Sequence, residues 1–244
     1  GDADFSDNII GSNTKANSII VNSTGTSNVA SYGIGINSAV STADVDSNHI
    51  GSFTLNSSST ANGHSFTGIH VGAAGDLSVR NNTIGHQTIP NFIISTNPNE
   101  STGNEQNVRG IVNGANANTN ISNNNIVSLS NNTIGKGDVV GIFCNKGVNK
   151  IVGNSISKLA NASSSSYIQF NIYSITTGIS LESNLDGQLV KSNTIHHLSN
   201  TYNGYPQTIV SGILMKSGSG TISHNTIYDI SLPSGNLVIG NGIW

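Results

Sequence analysis

Few residues in this sequence could carry out hydrolytic or lyase chemistry. Cleaving a glycosidic bond by hydrolysis requires two carboxylates that face one groove. The chain has 12 acidic residues among 244, and most of them stand alone. The closest groupings are Asp2, Asp4 and Asp7 near the start, and Asp44 with Asp46. We therefore predict no catalytic residue, and we expect these carboxylates to be surface charges.

Histidines could bind a metal ion, but only if several converge on one face. The chain has 7 histidines, and only His196 and His197 are adjacent. Side chains alternate between the two faces of a strand, so we predict that these two point apart and do not chelate. The sequence therefore predicts neither a metal site nor a cofactor.

Composition excludes two further classes of partner. The net charge is −3 and the 9 Lys and Arg residues are scattered, so the basic stripe that binds nucleic acid is missing. No apolar run approaches the ~20 residues that cross a bilayer, so no membrane insertion is expected. The only cysteine, Cys144, follows Gly-Ile-Phe and is interpreted as a small apolar core residue.

Aromatic side chains give the best indication of a binding site. They fall in two consecutive polar stretches, the first with Tyr167, Phe170 and Tyr173 and the second with Tyr202 and Tyr205. Exposed rings beside Asn and Ser can stack on sugars, which makes these five residues candidate glycan contacts. Alternatively, the alternating pattern of 167–175 indicates a strand that covers a corner of the core.

Two recurring motifs determine where all of these residues lie. The pattern apolar-x-x-Asn-x-Ile occurs at Phe5–Ile10, Val45–Ile50, Val79–Ile84, Ile121–Ile126, Ile151–Ile156, Val190–Ile195 and Ile222–Ile227, with an out-of-step copy at Leu129–Ile134. A Gly-Ile motif begins at Gly33, Gly68, Gly110, Gly141, Gly178, Gly212 and Gly242. Each Gly except the last precedes the next motif Asn by 13 to 15 residues.

This repetition predicts stacked, short parallel strands. The apolar residues recur every two or three positions between turn residues, which indicates strands and little or no α-helix. Stacked units place equivalent residues in columns. We expect an Ile column to fill the core and the Gly column to allow a bend. An internal asparagine ladder, with Asn tolerating left-handed dihedrals, is predicted from Asn48, Asn82, Asn124, Asn154, Asn193 and Asn225.

The Gly-Ile motif followed about fourteen residues later by Asn-x-Ile resembles the repeat of right-handed parallel β-helices of the pectate-lyase-like superfamily. The last two units also resemble repeats of large secreted surface proteins of the Bacteroidetes. The resemblance covers residues 1–244 and implies one all-β solenoid domain of six to seven turns. Known enzymes of that superfamily are polysaccharide lyases and glycosidases, but the polygalacturonase-like Asn-Thr-Asp and Gly-His-Gly signatures are missing from this sequence.

Extra residues interrupt the repeat at one corner of each predicted turn. A plain turn of this family has about 22 residues, and this chain exceeds that length by ten to twenty residues in nearly every turn. The predicted insertions are approximately 11–32, 53–67, 86–109, 158–177, 197–211 and 229–241. Insertions at one register lie on one side of a solenoid, which is often its binding side.

Two outward columns carry their own predictions. Asp46 shares a column with Arg80 one turn later, and we expect a surface ion pair between them. A second column contains three Thr residues and could order water, as in ice-binding solenoids; its members are His49, Thr83, Asn125, Ser155, Thr194 and Thr226.

These patterns favour a non-enzymatic structural or adhesive segment of a secreted cell-surface protein, which could form part of a stalk or filament. The expected partners are neighbouring repeats of the same chain, end-to-end copies, and surface glycans. The alternatives are a polysaccharide lyase or glycosidase, a passive glycan-binding module that uses the loop aromatics and, as a minor alternative, an ice-binding solenoid. The array starts and stops within a repeat, from which we expect continuation into a longer array.

Overall fold

A computed structural model describes the chain except for residues 26, 28, 62, 74, 91, 100–104, 164–173, 203–207, 233–237 and 244, and describes residues 238–241 by their backbone only. Within the described residues every regular element is a β-strand. The strands form three sheets, called here A, B and C.

Each sheet takes its strands from the whole length of the chain. Sheet A contains β1 (Ala3–Ser6), β5 (Thr42–Asp46), β9 (Asp76–Arg80), β13 (Asn118–Ser122), β16 (Val148–Val152), β19 (Gln188–Lys191) and β22 (Gly220–Ser223). Sheet B contains β2 (Ile9–Ile10), β3 (Ile19–Ser23), β6 (His49–Ile50), β7 (Phe53–Ser57), β10 (Thr83–Gly85), β11 (Ile93–Asn97), β14 (Asn125–Thr133), β17 (Ser155–Asn161), β20 (Thr194–Asn200) and β23 (Thr226–Ser231). Sheet C contains β4 (Val29–Ile36), β8 (His64–Val71), β12 (Val108–Asn113), β15 (Asp138–Cys144), β18 (Ser174–Leu181), β21 (Thr208–Met215) and β24 (Val238–Ile243).

The chain visits the sheets in the order A, B, C and then returns to A; one such passage is called here a circuit. Neighbouring strands are parallel, and equivalent motif positions are paired, as in Val45 with Val79 and Ile121 with Ile151. The prediction of an all-β fold built from stacked parallel strands is therefore confirmed.

Two columns of apolar side chains fill the interior beneath sheet B. Ile50, Ile84, Ile126, Ile156 and Ile195 are completely buried. The second column follows three residues later in most circuits and includes Phe53, Leu129, Leu159 and Leu198. Each column stacks on itself from one circuit to the next, so every circuit buries apolar area mainly against its neighbours.

The Gly column lies where a Cβ is unwelcome, as the sequence predicts, and the strand pairing skips these glycines, as at Gly141. These glycines lie within the strands of sheet C, and at all of them except Gly242 the interior leaves no space for a side chain. A Cβ on Gly141 would lie 2.6 Å from Ile156 Cγ2 and 2.6 Å from the carbonyl oxygen of Gly178. Glycine is present because the backbone of sheet C packs directly against the isoleucines of sheet B.

The asparagines of the predicted ladder line the corner between sheets A and B. The Nδ2 of each asparagine from Asn48 to Asn193 donates to the Oδ1 of the next, ending at Asn225, with distances of 2.9 to 3.0 Å. Each Nδ2 also donates to a main-chain oxygen one circuit earlier, as Asn124 does to Val79 at 2.9 Å. Because Asn48 through Asn193 are at most 1% exposed, these bonds satisfy polar groups that water does not reach.

The left-handed residue of this corner is the one before each asparagine, and not the asparagine as predicted. Its φ lies between +56° and +69° at Ser47, Asn81, Asn123, Gly153, Ser192 and His224. The preceding residue therefore makes the turn, while the asparagine side chain points inward to the ladder. A short polar residue or Gly tolerates this conformation best.

The predicted insertions are partly strand, which is a second correction. β3, β7 and β11 lie inside the ranges predicted as insertions, and β17, β20 and β23 extend into them. They complete sheet B, and the described residues of 11–18 and 86–92 connect strands within that sheet. The out-of-step motif at 129–134 belongs mostly to β14, with its Asn132 exposed and outside the ladder.

The other two corners also contain buried amides. At the corner between sheets B and C, Asn131, Asn161 and Asn200 stack in register. At the corner between sheets C and A, Asn149 Nδ2 donates to Gln188 Oε1 at 3.0 Å, and Asn113 Nδ2 donates to Asn149 Oδ1 at 2.8 Å. Side-chain amides therefore satisfy buried backbone groups at all three corners.

Candidate ligand-binding groove

The outward face of sheet C carries an apolar cluster that is separate from the main core. Val112, Val140 and Phe143 form this cluster. Val140 and Phe143 are three residues apart, a spacing that places side chains on opposite faces of a regular strand. Both nevertheless lie outside the main core. The strand pairing skips Gly141, which breaks the alternation of faces between them. In register, Val112, Phe143, Ser180 and Leu214 form one outward row across four circuits.

Arg109 covers the centre of this apolar cluster. Its guanidinium carbon lies 4.1 Å from the centroid of the Phe143 ring, a cation–π arrangement. The same guanidinium forms a fork with Asp138, with 3.0 Å from Nε to Oδ1 and 2.5 Å from a terminal nitrogen to Oδ2. Burial opposes the charge of Arg109, but the attraction of Asp138 outweighs it, so the pKa of Arg109 is raised.

A groove of about 630 Å³ opens beside this pair. Its apolar lining includes Val140, Phe143, Ile175, Ile209 and Leu214. That volume and an apolar lining with a few polar groups are typical of small-ligand sites.

The charged groups of the groove are mostly paired with one another. Lys216 Nζ lies 2.5 Å from Glu182 Oε1, and both residues line the groove together with Arg109, Asp138 and Glu105. The lining thus contains three carboxylates and two cations, and both cations are already neutralised by a carboxylate. The charge balance favours an uncharged ligand whose hydroxyl groups can donate to carboxylate oxygens.

Of the five predicted aromatic contacts, only Tyr202 lies within the described residues. Tyr202 is partly buried; its main-chain N–H donates to Asn200 Oδ1 at 3.0 Å and its carbonyl oxygen accepts from Thr208 Oγ1 at 3.1 Å. Tyr167, Phe170, Tyr173 and Tyr205 lie outside the described residues. The two stretches that carry them lead into β18 and β21, which supply Ile175 and Ile209 to the groove.

The residues that line the groove were not predicted from the sequence. Arg109, Asp138, Glu182 and Lys216 are isolated in the sequence, and their pairs span 29 and 34 residues. One signal was available at the outward position after each Gly-Ile motif. That position changes from Gly35 and His70 to the apolar Val112 and Phe143, and an outward apolar residue needs a partner or a cover.

Two other predictions about chemically reactive residues are confirmed. Arg80 lies 3.2 Å from Asp46, as expected, and 2.8 Å from Asp44. The pKa of Asp46 is lowered, first by a hydrogen bond from Asn81 and further by those from Ser47 and by the charge of Arg80. Cys144 is completely buried in the main core, where burial raises the pKa of its thiol.

The prediction that His196 and His197 point to opposite faces is wrong. His197 has a φ of +54°, which breaks the alternation of the strand. Both rings lie outward and their Nδ1 atoms are 2.5 Å apart. Within the described ranges, no three His, Cys, Asp or Glu side chains form a group suited to hold a metal ion.

The column predicted to order water is also found in one register. His49, Thr83 and Asn125 are paired across β6, β10 and β14, and Ser155, Thr194 and Thr226 continue the column. Only the last two neighbours are both threonine, so the column presents no continuous threonine surface. Ice binding by this column stays a prediction.

Comparison with protein-family models, curated proteins and solved structures found no match to this chain. The part of the chain that the structure describes also contains no helix with the length and hydropathy needed to span a membrane.

Proposed function

We propose that this protein is a non-enzymatic segment of a right-handed parallel β-helix with a structural or adhesive role, and that the groove on sheet C binds a neutral glycan. The parallel register of the three sheets and the seven strands in each of sheets A and C support a solenoid of about seven turns. The assignment to a secreted, cell-surface protein is part of this proposal and rests on the sequence resemblance.

One observation carries the glycan-binding part. The groove combines an apolar face, formed by Phe143 and Leu214, with carboxylates at Asp138, Glu182 and Glu105. A sugar ring has apolar C–H faces and a rim of hydroxyl groups, so it matches both kinds of surface. Both cations of the groove are held by carboxylates, which disfavours a uronic acid or another anionic sugar.

The test is binding of neutral oligosaccharides to the intact chain, first on a glycan array and then by calorimetry with the best ligand. Phe143→Ala removes an apolar wall of the groove and the ring on which Arg109 rests, and Glu182→Gln keeps the shape but removes a charged acceptor. We expect Phe143→Ala to weaken binding about tenfold, equivalent to about 1.4 kcal/mol, and Glu182→Gln to weaken it less.

Tyr32→Ala is the matched control, since Tyr32 is also an outward aromatic of sheet C. It is 39% exposed and stacks on His70, away from the groove lining. The control should bind like the wild type. Equal binding by Phe143→Ala and Tyr32→Ala would reject the groove as the site, and depolymerisation of a bound polysaccharide would assign an enzyme instead.

The aromatic residues of the insertions allow a second, independent test of glycan binding. If the insertions also contact the sugar, Tyr205→Ala weakens retention on the same array. Unchanged retention by Tyr205→Ala, combined with a loss for Phe143→Ala, would place the contact in the groove alone.

A further inference from the structure

Two histidines on the outward face of sheet B take no part in the proposed groove. The sequence places His196 and His197 in β20, and β23 supplies Tyr228 and Asp229 beside them. The His196 and Tyr228 rings are stacked, with centroids 4.8 Å apart and planes 3° from parallel. This stacking holds His196 in one orientation, and the left-handed turn at His197 brings the second ring beside the first.

Asp229 determines which nitrogen of His197 carries the proton. Its Oδ2 lies 2.9 Å from His197 Nε2, so the carboxylate accepts a hydrogen bond from Nε2–H. In the neutral imidazole the other nitrogen, Nδ1, then holds a lone pair. That lone pair faces His196 Nδ1 at 2.5 Å. A proton on His196 Nδ1 completes a hydrogen bond at this separation, and a metal cation bound by both nitrogens would take the place of that proton.

We propose that His196 Nδ1 and His197 Nδ1 together bind a divalent first-row transition-metal ion, with Cu²⁺ bound more tightly than Zn²⁺. Metal–imidazole bonds are about 2.0–2.1 Å long, so the rings need to separate only slightly to admit an ion. Both residues are solvent-accessible, and water completes the coordination. The order of the two metals follows the general preference of nitrogen ligands.

Asp229 acts as a positioning residue in this site. A carboxylate that accepts the second N–H of a ligating histidine fixes its tautomer and raises its basicity.

The test titrates the intact chain with Cu²⁺, and separately with Zn²⁺, by calorimetry in a non-coordinating buffer, with electron paramagnetic resonance of the Cu²⁺ complex. We expect one ion per chain, nitrogen coordination in the spectrum, and weaker binding of Zn²⁺. His197→Asn and His196→Gln should each weaken Cu²⁺ binding at least about tenfold. Asp229→Gly, which suits the φ of +58° at this residue, should weaken it about tenfold.

His224→Asn is the matched control for His197→Asn. His224 is exposed and has a φ of +57°, and Asn tolerates this conformation in both variants. The control should keep wild-type affinity, and thermal unfolding should show that all variants fold. No Cu²⁺ binding by the wild type, or wild-type affinity in both His196→Gln and His197→Asn, would overturn the proposal. Because neither histidine lines the groove, this result is independent of glycan binding.

Discussion

The corner between sheets A and B keeps the same residue type from circuit to circuit, whereas the outward face of sheet C does not. At the corner, the same asparagine occurs in each circuit, and each copy makes the same hydrogen bonds. On sheet C the outward row changes from His70 through Val112, Phe143 and Ser180 to Leu214. The constant interior column stabilises stacking between circuits, whereas the variable outward row makes one stretch of the surface different from the others. Any specificity for a ligand must come from that variation.

The largest effect is expected where the interior has no space. Gly141→Ala places a Cβ 2.6 Å from Ile156 Cγ2 and from a backbone oxygen, and the backbone cannot move without disturbing the neighbouring circuit. We expect a loss of about 3–4 kcal/mol in the free energy of unfolding. Urea denaturation measures it.

Gly114→Ala is the control for that substitution. Its Cβ would lie 3.4 Å from the nearest atom, the carbonyl oxygen of Val71, which is at the edge of ordinary contact. We expect a change of about 0.5 kcal/mol or less. Equal losses in the two variants would show that the Gly column reflects backbone conformation and not close packing.

The next effect concerns the ladder. Asn124→Ala removes the acceptor of Asn82 Nδ2 at 2.9 Å and the donor to Val79 at 2.9 Å, and it leaves both partners buried. Unpaired buried groups cost about 1–3 kcal/mol, so we expect a loss of about 3 kcal/mol in urea denaturation. Asn125→Ala, at the neighbouring outward asparagine, should cost less than about 0.5 kcal/mol. A similar loss in both variants would contradict an internal ladder.

The sequence was sufficient for the ladder because a single residue type recurs at near-constant spacing. It was insufficient for the other two corners, where the residue type changes: Ser95 occupies the column of Asn131, and Gln188 follows Asn149. The asparagine of the ladder was predicted, but its left-handed neighbour was not, because dihedral tolerance alone does not say which of two short polar residues makes the turn.

The groove was harder to predict, for a physical reason. Its ion pairs join residues 29 and 34 positions apart, and variable connections separate them. When the two residues of a pair come from different circuits, no short, fixed spacing between them marks the pair in the sequence. Asp46 and Arg80 were predicted because both lie at the same position of the repeat.

The two kinds of ion pair should differ in strength. Arg109 and Asp138 are 19% and 14% exposed, whereas Arg80 and Asp44 are 44% and 40% exposed. Arg109→Ala leaves a largely buried carboxylate without its partner, with an expected cost of about 2 kcal/mol. Arg80→Ala should cost about 0.5 kcal/mol and less at high salt. Urea denaturation at two ionic strengths distinguishes them, and equal costs would contradict the difference in burial.

The smallest effect at neutral pH involves His64, which lies inside the corner between sheets B and C. His64 is completely buried, its Nε2 lies 2.8 Å from Ser31 Oγ, and its Nδ1 has no hydrogen-bond partner among the described residues. Burial lowers the pKa of His64 below the ordinary value of about 6.5. As the pH falls through that value, the unfolded chain takes up a proton that the folded chain does not, so stability decreases.

His64→Gln isolates this contribution, because glutamine stays neutral at every pH. His49 and His70 also have pKa values lowered by burial, so the wild type should lose stability below pH 6.5 through several groups. The stability difference between the wild type and His64→Gln should therefore become smaller as the pH falls from 7.5 to 5.5 in urea denaturation. Parallel curves over that range would mean that His64 takes up its proton as readily in the fold as in the unfolded chain, and that the interior of this corner is accessible to water.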